Sequence, residues 1–159
     1  MRLWHIIVPA VFSLLLSACG GSKAPDLSVT SVTNSSQTLS LAHAGKPILM
    51  TFWATTCPSC LEEIPGLSAL QAEFGDQITV LGVAMSYDDP KQLQAFIQQK
   101  KVPYMIAHDV DQSVSKGFGG IYVTPTNLLI SPQGEVEWKQ VGTPDFAVVK
   151  QRIQAMLGK

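Results

Sequence analysis

Cys57 and Cys60, separated only by Pro58 and Ser59, stand between a run rich in apolar residues, ILMTFW at 48–53, and a segment with helical apolar spacing at 58–74. An uninterrupted run of this length suits a strand covered on both faces. Leu61, Ile64, Leu67, Leu70 and Phe74 recur at the spacing of one helix face. Pro58 fits the first helical position, where its fixed φ is favourable and its missing N–H costs nothing. The spacing therefore predicts a strand that ends, a cap at Cys57, and a helix that begins. The free N–H groups of Ser59 and Cys60 then face the Cys57 sulfur. Those donors and the positive helix end stabilise a thiolate there and raise its share at neutral pH. Cys60 lies one turn deeper on the same face. It is placed to attack a mixed disulfide held on Cys57 and release the product.

The rest of the chain alternates strands and helices. ITVLGVAM (78–85) reads as a second buried strand. NLLI (127–130) and EVEWKQV (135–141) read as a hairpin around SPQG. Helices are predicted over 90–100, 111–118 with Asp111 as cap, and 145–157. A weak strand pair brackets the turn at Asn34–Ser36. This alternation predicts an α/β fold: a central mixed β-sheet flanked by helices, with an N-terminal strand extension. One domain is expected, over 27–159.

The first residues read differently. Arg2 precedes an apolar stretch, Ile6 to Ala18, too short to span a bilayer and suited to an export signal. LSAC, Leu16 to Cys19, resembles the bacterial lipoprotein signal. The resemblance implies a signal peptide over 1–18 and acyl chains on Cys19, with 19–26 as a flexible tether. Lipidation of Cys19 would leave Cys57 and Cys60 as a closed pair in an odd set of three. Cleavage removes Arg2 and no acid, leaving ten Lys and Arg against twelve Asp and Glu. Nothing in that balance, and no basic helix, points to nucleic acid.

Other readings of the pair are poorer. Zinc needs two more ligands, and His43 and His108 are far apart in sequence. A structural disulfide across two residues closes too small a loop to stabilise much. A peroxidase of the Pro-x-x-x-Thr-x-x-Cys kind would need Thr at position 54, which is Ala, and an arginine nearby. Arg152 is the only arginine after Arg2.

FWATTCPSC, Pro65, VTPT (123–126) and SPQGEV followed by Gly142 resemble the thioredoxin superfamily, and within it exported TlpA/ResA-type thiol-disulfide reductases. The resemblance covers about residues 27–157. It implies a thioredoxin fold with Cys57 attacking and Cys60 resolving. It implies a proton-transfer role for Glu63, and a cis Pro125 whose loop offers the Thr124 backbone to substrate. One departure stands out: the family's Trp before the first cysteine is Thr56 here.

The expectation is a lipid-anchored periplasmic oxidoreductase that reduces disulfides of exported proteins. The cysteine pair is its redox group, with no other cofactor and no metal, and a membrane thiol carrier supplies the electrons. The alternative is a copper-delivery metallochaperone of the same fold, with His108 as a third ligand to Cu(I).

Overall fold

The computed structural model describes residues 21–159, so the signal segment and Cys19 lie outside the described residues. Eight strands and four helices follow in order: β1 (Ser22–Lys23), β2 (Ser28–Thr30), β3 (Thr38–Ser40), β4 (Ile48–Trp53), α1 (Pro58–Phe74), β5 (Thr79–Ala84), α2 (Pro90–Lys100), β6 (Met105–His108), α3 (Ser113–Gly117), β7 (Thr126–Ile130), β8 (Glu135–Val141) and α4 (Phe146–Met156). Six strands form one sheet in the order β1-β8-β7-β4-β5-β6, while β2 and β3 pair as a separate hairpin. β4, β5 and β6 run parallel; β7 and β8 are antiparallel to their neighbours. This is the expected mixed sheet.

β4 is central, and all six of its residues are buried. Period-two alternation sends its side chains to two cores. Ile48, Met50 and Phe52 pack with Leu81, Val83, Leu128 and Ile130 under α3 and the β2–β3 hairpin. On the other face Leu49 meets Leu67, Leu70 and Phe74 of α1 and Val149 and Ile153 of α4. Trp53 packs with Cys60 and with Leu93 and Ile97 of α2.

Three local expectations need correction. The tether over 19–26 is in part structured. Ser22 and Lys23 pair antiparallel with Val136 and Glu135, Ala24 is buried, and its N–H donates to the Gly134 carbonyl. Small residues read as a loose linker because their composition is flexible, but an open edge of β8 offers them hydrogen bonds. The short helix near 111 starts at Ser113. Asp111 accepts from the Ser113 N–H, while buried Asp109 accepts from Val114 and Ser115 and anchors the first turn. On α1 the buried stripe is Cys60, Glu63, Leu67, Leu70 and Phe74, with Leu61 and Ile64 only half-buried. An acid takes a core position that the apolar pattern assigned to its neighbours.

Candidate active site

β4 ends at Trp53, and four residues later the chain turns into α1. Cys57 is the N-cap, with extended backbone at φ −97° and ψ 104° and Pro58 directly after it. Its sulfur accepts from the Cys60 N–H at 3.3 Å, and the Ser59 hydroxyl lies 3.6 Å away. The sequence expected the Ser59 N–H at this point; Ser59 contributes its hydroxyl instead. Cys57 is half-buried and Cys60 is 2% exposed. The two are joined as a disulfide with Cα atoms 5.3 Å apart.

The turn ahead of Cys57 is held from outside. Buried Asp88, in the β5–α2 connection, accepts from both the N–H and the hydroxyl of Thr55. Asp89 beside it caps α2. The run YDDP reads from sequence only as a helix start, so the second role of its first acid is not visible there. Thr56 is exposed. Trp53 is buried in the cluster that holds Cys60, with its ring 5.6 Å from Phe96.

Glu63 lies three residues beyond Cys60 on the same buried stripe and is 1% exposed. Asn127 Nδ2 donates to its Oε1 and Oε2 at 3.2 and 3.3 Å, and the Thr51 hydroxyl donates to Oε2 at 3.4 Å. Burial raises its carboxyl above the ordinary range, and the donors Asn127, Thr143 and Thr51 pull the other way. Burial also raises the Tyr104 phenol, and the charge of Glu63 adds to that. Glu62 is exposed, so two adjacent acids occupy opposite environments.

The peptide bond between Thr124 and Pro125 is cis, as the motif implied. Pro125 is buried and Thr124 half-buried. The Pro125 carbonyl accepts from the Gly142 N–H at 2.8 Å. Gly142 has φ 86°, a conformation that suits glycine and lets the end of β8 fold over this loop. Exposed apolar side chains gather here. Tyr122 (84% exposed) and Val123 lead into the loop, and Val141 pairs with Thr126 just after it. Tyr87 lines a cavity with Tyr122.

His108 ends β6 in register with Ala84, and its Nε2 is buried with no hydrogen-bond partner. Among the described residues no group of three His, Cys, Asp or Glu is placed to hold a metal ion, so His108 does not complete such a set with the cysteine pair. Arg152 lies over the Trp138 ring, 6.0 Å from its centroid. Asp88 and Asn127 are the residues of this region that sequence reasoning missed. An Asn within an apolar run, NLLI, was the available signal for the second.

Comparison with known proteins agrees with this geometry. The model of the AhpC/TSA family matches residues 20–139. The thioredoxin-like protein YneN of Bacillus subtilis is 29% identical over 138 residues, covering 84% of this chain and 78% of its own. The thiol:disulfide interchange protein DsbE of Pseudomonas aeruginosa is 32% identical over 143 residues, covering 89% and 77%. Among solved structures, a thioredoxin-type protein of Neisseria meningitidis superposes with a TM-score of 0.76 at 30% identity, covering 87% of this chain and 92% of that one. StoA of Bacillus subtilis, at 21% identity and a TM-score of 0.70 over 80% and 97%, shares the fold. With a cysteine pair at the cap of α1 and relatives of this kind, the chain belongs to the AhpC/TSA family and is a thiol-disulfide oxidoreductase with a thioredoxin fold.

Proposed function

We propose that the protein is an extracytoplasmic disulfide reductase, held at a membrane by lipid on Cys19, that acts on exported polypeptides. The observation that carries this reading is the cysteine pair at the cap of α1 with a buried carboxyl three residues further on. The pair is itself the redox group. In the reduced protein the Cys57 thiolate attacks a substrate disulfide. One substrate sulfur leaves as a thiolate, and a mixed disulfide remains on Cys57. Cys60 gives its proton to the Glu63 carboxylate and attacks the Cys57 sulfur. The second substrate thiolate leaves and the Cys57–Cys60 disulfide forms. Two electrons pass to the substrate, and its two thiolates take up two protons. A membrane thiol carrier then returns two electrons and two protons to the pair.

Thr124 and Pro125 form the substrate shelf. Tyr122, Val123 and Val141, exposed beside it, suit an extended polypeptide carrying apolar side chains, with backbone pairing at Thr124 as in strand addition. Glu63 supports the reducing direction. A negative charge near the thiols disfavours an extreme thiolate, and a strongly stabilised thiolate is what makes an oxidant.

Cells producing the Cys60→Ala protein are expected to accumulate disulfide-linked complexes between Cys57 and exported proteins, recoverable and identifiable by peptide mass spectrometry. Complexes with cytoplasmic proteins alone, or none at all, would overturn the assignment. The anchor is tested separately, since LSAC is its only basis. The protein is expected to partition into detergent, and Cys19→Ala to release it to the aqueous phase. Wild-type protein that stays aqueous would remove the lipid from the account.

A further inference from the structure

The wall that β7 contributes beside Glu63 contains one polar residue where an apolar one would pack. Asn127 is fully buried, lies opposite Thr51 of β4, and sits in a strand whose other members include Leu128, Leu129 and Ile130. Its nitrogen donates to both Glu63 oxygens and, at 3.3 Å, to the Gly142 carbonyl. A carbonyl oxygen only accepts, and so does an ionised carboxylate. The amide nitrogen must therefore face both. Turning the amide over would set its oxygen against the Gly142 oxygen with no proton between them. Asn127 Oδ1 is buried and has no partner. A buried acceptor left unpaired is a cost to the fold, so the residue does not stand there for packing.

We propose that Asn127 is the positioning residue for Glu63: its carboxamide, locked by the Gly142 carbonyl, presents N–H donors to the carboxyl and so supports the charged form in a dry space. This rests on the reading of Glu63 as the group that exchanges a proton with Cys60. With its nitrogen turned to the carboxyl, the locked amide offers no acceptor to the O–H of the neutral acid, so it favours the charged state that takes a proton from a thiol. The donors to Glu63 are Thr51 from β4, Asn127 from β7 and Thr143 after β8; Tyr104, ahead of β6, feels its charge, and Cys60 is buried three residues earlier on the same helix. No cation forms an ion pair with it among the described residues. Neutral donors alone oppose its burial, and the bonds from Asn127 are shorter than the one from Thr51.

The test follows the carboxyl itself. Infrared difference spectra across pH, with Glu63→Gln identifying the band, give its titration in the wild type, in Asn127→Leu and in Asn127→Thr. Asn127→Leu is expected to move the Glu63 midpoint upward, to about tenfold tighter proton binding or more, and to shift the pH profile of thiol exchange the same way. Asn127→Thr, which keeps a hydroxyl donor, should fall between the two. In a Glu63→Gln background Asn127→Leu should leave the pH profile unmoved. An unchanged Glu63 midpoint in Asn127→Leu, with stability alone altered, would overturn the proposal. If Asn127→Leu does not fold, the same reading is taken from Asn127→Thr. A midpoint that moves while exchange kinetics stay fixed would support the role of Asn127 and count instead against Glu63 as the proton-transfer group.

Discussion

In the reduced protein at mildly acidic pH, limiting iodoacetamide is expected to alkylate Cys57 well before Cys60. Two independent features favour the first cysteine. Its sulfur takes the Cys60 N–H at 3.3 Å at the start of a seventeen-residue helix, where the dipole acts most strongly and fades within a turn. It is also half-buried, whereas Cys60 is 2% exposed. A pKa lower by one gives about a tenfold larger thiolate population at low occupancy, and access multiplies it. Cys57→Ala should reduce exchange to the uncatalysed background. Cys60→Ala should still complete the first attack and stall there. Peptide mass spectrometry that finds Cys60 labelled first would reverse the two roles and displace Cys57 from the helix cap in the working protein.

Replacing Glu63 with Gln is expected to slow exchange by about a hundredfold, in the range that general acid–base groups supply, and to stabilise the oxidised protein at neutral pH. The gain in stability comes from removing a buried charge. Burial raises the carboxyl above its ordinary value of 4.5, so the folded chain binds that proton more tightly than the unfolded chain. As pH rises from about 4.5 through the raised folded value, the unfolded chain releases the proton first and stability declines. Above the folded value the full cost of the buried charge is present, about 1.4 kcal/mol for each tenfold difference in proton affinity between the two states. Gln carries no such cost. Denaturant titrations from acid to neutral pH should show Glu63→Gln gaining on wild type as pH rises, with the gap closing in acid. A gap independent of pH, or a loss of stability at neutral pH, would mean that the bonds from Asn127 and Thr51 outweigh burial.

The strand-to-helix junction was readable because each of its signals is local. The apolar run, Pro58 after Cys57, and the cysteine spacing fix β4, the cap and α1 without reference to anything distant. Pro125 and Gly142 were readable through motif likeness. The paired start of the chain was not, because Ser22 and Lys23 become a strand only when β8 is present beside them. Glu63 shows an intermediate case. At 100° per residue it falls within the arc of Leu67, Leu70 and Phe74, so its burial was implicit in the helix. Counting apolar residues alone moved the stripe to Leu61 and Ile64. Asn127 and Asp88 act on partners 64 and 33 positions away, separations that no local pattern encodes.

The pairing of β1 with β8 governs how an anchored molecule would stand. Ser22 lies beside Val136, Val136 beside Ile130, and Ile130 beside Ile48, the first residue of β4. The thiols follow the last residue of that strand, at the opposite end of the sheet, roughly 16 Å further along β4 alone at about 3.3 Å per residue. With the lipid proposed for Cys19, only two glycines separate the acyl chains from the edge strand, a reach of about 10 Å. A Cβ on Gly21 would meet the Val136 carbonyl oxygen at 2.6 Å, so the leash begins hard against the domain. Such a leash restrains tumbling. If Cys19 carries that lipid, the leash would turn the β1–β8 corner toward the membrane and aim the cysteine pair into the aqueous space, so that a carrier embedded in the bilayer would have to extend its own thiols outward to meet them.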